Sequence, residues 1–311
     1  MHKRIVAILF LIIFFKEPIQ SSENFIVLKV NNNVITKIDV DNEYNYLIAL
    51  NSNLKKLDKE KLYKLSKDSI IREKIKKDEI EKYIGIDNFD NENFETIFKN
   101  FYNNLGLNNE KDFEKYLSNY NLSFSDVKQK IFIEISWNNL IYNKFINQIQ
   151  INKNLIKKQI ETKKKQNKSI TNYLLSEILF EVNDNEKYED KISEINRNIQ
   201  DIGFEATANI YSIADSSKLG GKLGWIDGDQ VSKNIIQDFE ILNQGDLTRP
   251  ISVPGGFLIL KLNDKKETKV KNNFDVKIET EKAMQYQTNK QLDKFSKVYF
   301  SRIKKNSFIR E

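Results

Sequence analysis

No cysteine occurs in this 311-residue sequence, and its single histidine is His2. Without cysteine there can be no disulfide, so the fold must rest on its buried core. His2 lies in a segment that reads as a removable leader, which leaves the mature chain without imidazole as well as without thiol. That excludes Ser-His-Asp triads, Cys-His pairs and the common zinc sites, so neither a metal nor another cofactor is expected. Proline and glycine are also scarce, at 3 and 10 residues, which points to few chain breaks and a mainly helical body.

Aromatic side chains are plentiful, with 20 Phe and 13 Tyr, enough apolar surface to argue against disorder despite 30% charged residues. The length allows two domains with separate cores. A net charge of +6 raises the question of nucleic acid. Acidic residues are interleaved with the lysines throughout, however, and neither an aromatic-glycine RNA signature nor a basic recognition helix is present. Nucleic acid is therefore not an expected partner.

The N-terminus carries a specific signal. His2, Lys3 and Arg4 precede the unbroken apolar run Ile5 to Phe15, and polar Gln20-Ser21-Ser22 follows. A charged start, a short apolar run and a small-residue exit describe a secretory signal peptide over residues 1–21, cleaved near Ser21 or Ser22. The run is shorter than the about 20 residues a membrane span needs. No second span appears, so no stable membrane insertion is expected once the leader is gone. An uncleaved leader would instead give a membrane-tethered protein.

Beyond the leader, Phe25 to Val30 reads as a strand and Asn31-Asn32-Asn33 as its turn. Thr36-x-x-Asp39 resembles a capping box, opening a helix with Val40, Tyr44, Leu47 and Ile48 on one face. A helix-permissive stretch runs from Leu62 to Ile84. Phe94, Ile97, Phe98, Phe101 and Tyr102 form an apolar stripe ending near Gly106, and Phe113, Tyr116, Leu117 and Tyr120 form a shorter one. Ser123-x-x-Asp126 caps a long helix with Val127, Ile131 and Ile135. The lysine-rich stretch 152–168 reads as a helix end plus linker.

Near Ile170 the pattern changes. Tyr173 to Val182 is strand-like, Ile192, Ile195, Ile199 and Ile202 mark an amphipathic helix stopped by Gly203, and Phe204 to Tyr211 a second. The glycine-rich Leu219 to Ile226 follows, then a helix over Lys233 to Leu242. Arg249 to Leu262 reads as two strands around a Pro-Gly-Gly turn. The order β-α-α-β-α-β-β defines a small α+β domain. Asp275 to Lys305 then reads as one more helix.

Segment 171–264 resembles the parvulin family of peptidyl-prolyl isomerases. The residues that carry this are Ala208-Asn-Ile-Tyr211-Ser212, Gly220-Gly221-Lys-Leu223-Gly224-Trp225, Phe239 to Gly245-Asp246-Leu247, Pro250-Ile251-Ser252 and Gly256-Phe257 to Leu262. The resemblance implies a four-stranded antiparallel sheet. Residues 24–168, with their opening Val27 to Ile35 and Asp39-Val40-Asp41, are similar to the N-terminal helical module of the SurA chaperones. Residues 266–311, where Phe295, Val298, Tyr299 and Ile303 share a helix, are similar to the C-terminal helix that completes that module. The implied fold class is α+β: a mainly helical chaperone module with an inserted parvulin-like domain.

Active parvulins place a hydrophobic proline pocket beside two histidines and a cysteine or aspartate. By resemblance the histidine positions fall on Glu177 and Leu258, the third on Asp215 within Ile213-Ala214-Asp215, and the pocket positions on Val231 and Ile235. Phe257 and Trp225 are the further candidates for a peptide-binding groove. With these replacements isomerase activity is expected to be weak or absent, and an isomerase working through Asp215 and groove shape alone is the alternative. The resemblance implies a periplasmic chaperone whose partners are unfolded polypeptides, outer-membrane β-barrel proteins among them, with the barrel-assembly machinery as a further partner.

Overall fold

The computed structural model describes residues 25–83, 91–166, 170–182, 186–253, 256–268 and 275–311; the leader reading over 1–21 and the turn residues 254–255 lie outside them. The chain starts with an antiparallel hairpin of β1 (Ile26–Val30) and β2 (Asn33–Thr36). Its turn uses Asn31 at φ +51°, a left-handed conformation that asparagine tolerates. Leu28, Val30 and Ile35 point inward and are buried against Val40, Ile70, Ile71 and Ile75. Thr36 forms a reciprocal cap: its N–H donates to Asp39 Oδ2 at 2.7 Å, and Asp39 N–H donates to Thr36 Oγ1 at 3.4 Å.

Helix α1 (Lys37–Leu50) packs on α2 (Lys59–Tyr83), and α3 (Asn91–Asn104), α4 (Glu110–Ser118) and α5 (Phe124–Phe145) follow. The aromatic stripes are core. Phe98 and Phe113 are fully buried, with ring centroids 5.8 Å apart, and Phe124 closes on Phe98 at 5.9 Å. Ile97 alone of the α3 stripe is exposed. The stretch expected as a helix end plus linker forms a full helix, α6 (Lys153–Gln166). The reason is tertiary: Ile160 is buried, and the helix lies along α10 (Val276–Lys305), a partner more than 100 residues away in sequence.

Helix α10 returns to complete the helical module. Its Asp275 cap accepts from the N–H groups of Lys277 and Ile278. Phe295 stacks on Phe145 at 4.9 Å, and the buried Trp137 donates through Nε1 to Ser296 Oγ at 2.9 Å. Strand β7 (Ile309–Arg310) then pairs antiparallel with β1, giving the sheet order β2-β1-β7. The last residues of the chain are thus tied to the first strand.

Between α6 and α10 lies the α+β unit: β3 (Ile170–Phe180), α7 (Tyr188–Ile202), α8 (Phe204–Tyr211), β4 (Lys222–Asp227), α9 (Lys233–Ile241), β5 (Ile251–Val253) and β6 (Gly256–Thr268). Its four strands are antiparallel in the order β4-β3-β6-β5. The entering β3 and leaving β6 pair from Ile170 opposite Thr268 to Phe180 opposite Phe257, with one register shift between Leu174 and Leu175. One sheet face is covered by α7 and α8 through Ile178, Phe180, Ile195, Phe204, Ala208 and Ile259. The other packs Tyr173, Leu175, Leu260 and Leu262 against Phe239 of α9.

The unit also docks on the helical module. Ile48, Leu54 and Leu62 of the module meet Ile202 and Ala206 in one buried cluster. Asn51 Nδ2 donates to Asn209 Oδ1 across this contact at 2.7 Å. Within the helical module a buried charge network joins α1, α2 and α5. Lys130 lies between Glu43, at 2.6 Å, and Glu73, and Lys76 meets Glu134 at 2.7 Å. Burial works against the charge on Lys130, but the Glu43 and Glu73 carboxylates outweigh it and raise its pKa above the ordinary lysine value.

Candidate functional site

The face of the sheet beneath α9 gathers four of the residues singled out from the sequence. Side chains alternate along a strand, so Glu177 stands on the same side of β3 as Leu175 and Leu179, and Leu258 shares a side of β6 with Leu260 and Leu262. Glu177 lies directly opposite Leu260, and Leu258 is flanked by Leu179 and Ile251 on its two neighbouring strands. Val231, Ile235 and Leu258 form a half-buried apolar rim on the core beneath α9.

Glu177 supplies the polar end. Its Oε1 accepts from Ser216 Oγ at 2.8 Å, and its backbone N–H donates to Gly221 O at 2.7 Å. That backbone approach explains the paired glycines. A Cβ on Gly221, which has φ +77°, would sit 2.1 Å from Glu177 O. Ser212 Oγ ties the neighbouring loop to β3 by accepting from the N–H groups of Leu179, at 3.1 Å, and Ala214, at 3.3 Å. Asp215 opens the short 3-10 turn Asp215–Leu219, and its side chain lies outside the described residues. Helix α10 brings Tyr286 into the field of Glu177. Burial raises the pKa of that phenol first, and the carboxylate adds to the shift.

Two of the candidates lie elsewhere. Phe257 precedes Leu258 and therefore faces the opposite side, under α7, where it stacks on Phe180 at 5.8 Å and meets the tilted ring of Tyr188 at 4.6 Å. Trp225 is on the edge strand β4, with 43% of its surface exposed and Lys266 Nζ 3.9 Å from its ring centre. Its neighbour Ile226 points to the α9 side, so Trp225 does not. Ser216 is the site residue the motifs did not single out. The one trace of it in the sequence is its place beside Asp215 in a polar turn. Among the described residues, no group of three or more His, Cys, Asp or Glu side chains is placed to hold a metal ion.

The unit is thus a four-stranded antiparallel sheet with two helices on one face and one on the other, its edge strand β4 opened by Gly-Gly-x-Leu-Gly-Trp. Residues 175–264 match the PPIC-type PPIase domain family, called Rotamase. That match covers under a third of the chain, and about half of the chain is similar to the SurA chaperones. It is 24% identical over 163 residues to Chaperone SurA of Pseudomonas putida, a stretch covering 50% of this chain and 38% of that protein. Against Chaperone SurA of Pseudomonas aeruginosa it is 25% identical over 164 residues, covering 50% of this chain and 39% of the relative. The match thus spans well under half the length of these relatives. Among solved structures, the SurA-like chaperones PEB4 and Cj1289 of Campylobacter jejuni include a chain aligned over 92% of this one and 98% of its own length, at 15% identity and a TM-score of 0.36. No helix among the described residues is long and apolar enough to cross a membrane.

Proposed function

We propose that the protein is a periplasmic chaperone that binds unfolded exported polypeptides, and that its PPIC-type domain binds peptide without efficiently isomerising it. The observation that carries this is the pairing of an apolar rim with a reduced polar cluster. Val231, Ile235 and Leu258 offer half-buried hydrocarbon, while the polar end consists of Glu177 held by Ser216. Prolyl isomerisation crosses a barrier of about 18–20 kcal/mol by twisting the amide. Leu258 has no hydrogen-bonding group to assist that twist, and Glu177 brings negative charge where the family has an imidazole. Apolar contact with extended chain needs neither.

On this reading the helical module, α1–α6 with α10, is the main holding surface, and the PPIC-type domain is a flanking wall. The leader over 1–21 directs export. Unfolded outer-membrane β-barrel proteins are the clients, and the barrel-assembly machinery is the recipient. The test pairs a protease-free proline isomerisation assay with suppression of client aggregation on the same purified protein. Suppression at near-stoichiometric ratio without measurable turnover is expected. Turnover comparable to an active parvulin, or indifference to unfolded polypeptide, overturns the proposal.

A further inference from the structure

The outer face of the β2-β1-β7 sheet takes no part in the groove or in the helical core. Across it Val34, Lys29 and Arg310 stand side by side as direct cross-strand partners. Around them lie Ile26, 67% exposed, Phe308, 57%, Phe25, 54%, and Ile38, 44%. Their positions are fixed by the backbone. Lys37 N–H donates to Phe25 O at 2.9 Å at one end of the sheet, and Asn31 N–H donates to Phe308 O at 2.8 Å at the other. Single exposed apolar residues are ordinary. A cluster of this kind around one small sheet marks an interaction surface.

The charge of the face points to its occupant. Two nearby carboxylates are ion-paired, Asp41 with Lys37 and Glu311 with Lys67 at 2.6 Å, and Asp39 is engaged in the Thr36 cap. Lys29 and Arg310, which lie on the sheet itself, make no ion pair among the described residues. An apolar rim around unopposed cations fits the boundary between acyl chains and head groups of an anionic bilayer, where buried hydrocarbon and about 1 kcal/mol per Lys or Arg act together. The chain path agrees. Phe25 follows the apolar run Ile5 to Phe15 after residues 16–24, at most about 30 Å of extended chain. We propose that the outer face of β2-β1-β7 rests on an anionic lipid surface, a property beyond client binding.

The test is co-sedimentation of the chain from Ser22 onward, which keeps every described element, with vesicles of phosphatidylglycerol or of phosphatidylcholine. Binding to phosphatidylglycerol alone, released by salt, is expected. It should weaken at least about tenfold in the Lys29→Glu/Arg310→Glu and Phe25→Ser/Ile26→Ser double variants, with unchanged thermal unfolding. No binding to phosphatidylglycerol, equal binding to phosphatidylcholine, or full binding by both double variants overturns it. Aggregation suppression measured without lipid should stay at the parent level in these variants, so the lipid proposal and the chaperone proposal fail separately.

Discussion

Replacing Lys130 by methionine keeps an unbranched side chain, one atom shorter and uncharged, and strands two carboxylates. Glu43, 2% exposed, has its Oε2 only 2.6 Å from the Lys130 ammonium, and Glu73 approaches from the other side. Removing one partner of a buried ion pair costs about 3–5 kcal/mol, most of it the desolvation of the charge left behind. The lower end applies to Lys130→Met. The Lys130 and Glu73 side chains retain 20% and 15% exposure, and Ser69 Oγ still donates to Glu43 Oε1 at 2.6 Å. A loss of about 3 kcal/mol lowers the unfolding midpoint by about 6–12 °C in a domain of this size. Circular dichroism melts measure it. Glu43→Gln in the Lys130→Met background should recover part of the deficit, because the stranded charge is then removed. A variant melting within about 2 °C of the parent, or a double variant no more stable than Lys130→Met alone, would refute the reasoning.

Two further outcomes follow from the geometry. Gly221→Ala should destabilise the α+β unit by more than about 2 kcal/mol, because its Cβ would meet Glu177 O at 2.1 Å from a backbone at φ +77°; a urea titration in which alanine matches glycine would contradict this. Burial pushes the Glu79 pKa up, but hydrogen bonds from Lys82 and Tyr299 outweigh it and hold the carboxyl below its ordinary value. Its contribution to stability is therefore present above the unfolded-state pKa and lost as pH falls through the depressed folded value. Tyr299→Phe removes one of those donors and should move acid unfolding to higher pH, and an unchanged acid midpoint would count against that role.

Local signals were legible where they act locally. Thr36-x-x-Asp39, Ser123-x-x-Asp126 and the Phe94–Phe98–Tyr102 spacing each mark the start or buried face of a helix, and all three do so in the structure. What depends on distant partners was not legible. The stretch 152–168 reads as no more than a helix end plus linker because α10, the helix that α6 packs along, lies at the far end of the chain. Strand β7 has two residues, too few for any periodicity. In the candidate site, alternation alone separates Leu258 from Phe257. The register that decides which of them faces α9 comes from pairing with β3, which the family motif does not encode. The Glu177–Ser216 contact spans 39 positions and needs the folded sheet to bring it about.

Because Ile170 and Thr268 face each other across adjacent strands, everything between them hangs from a single two-stranded neck. Severing that neck and joining its stumps with a tight turn would leave the path of the surrounding helices unaltered. Topologically, the gain, loss or exchange of such a unit is one splice rather than a rearrangement. The obstacle lies at the docking contact, since Ile48, Leu54 and Leu62 would then face water. Any lineage that discarded the unit would have to make those three positions polar.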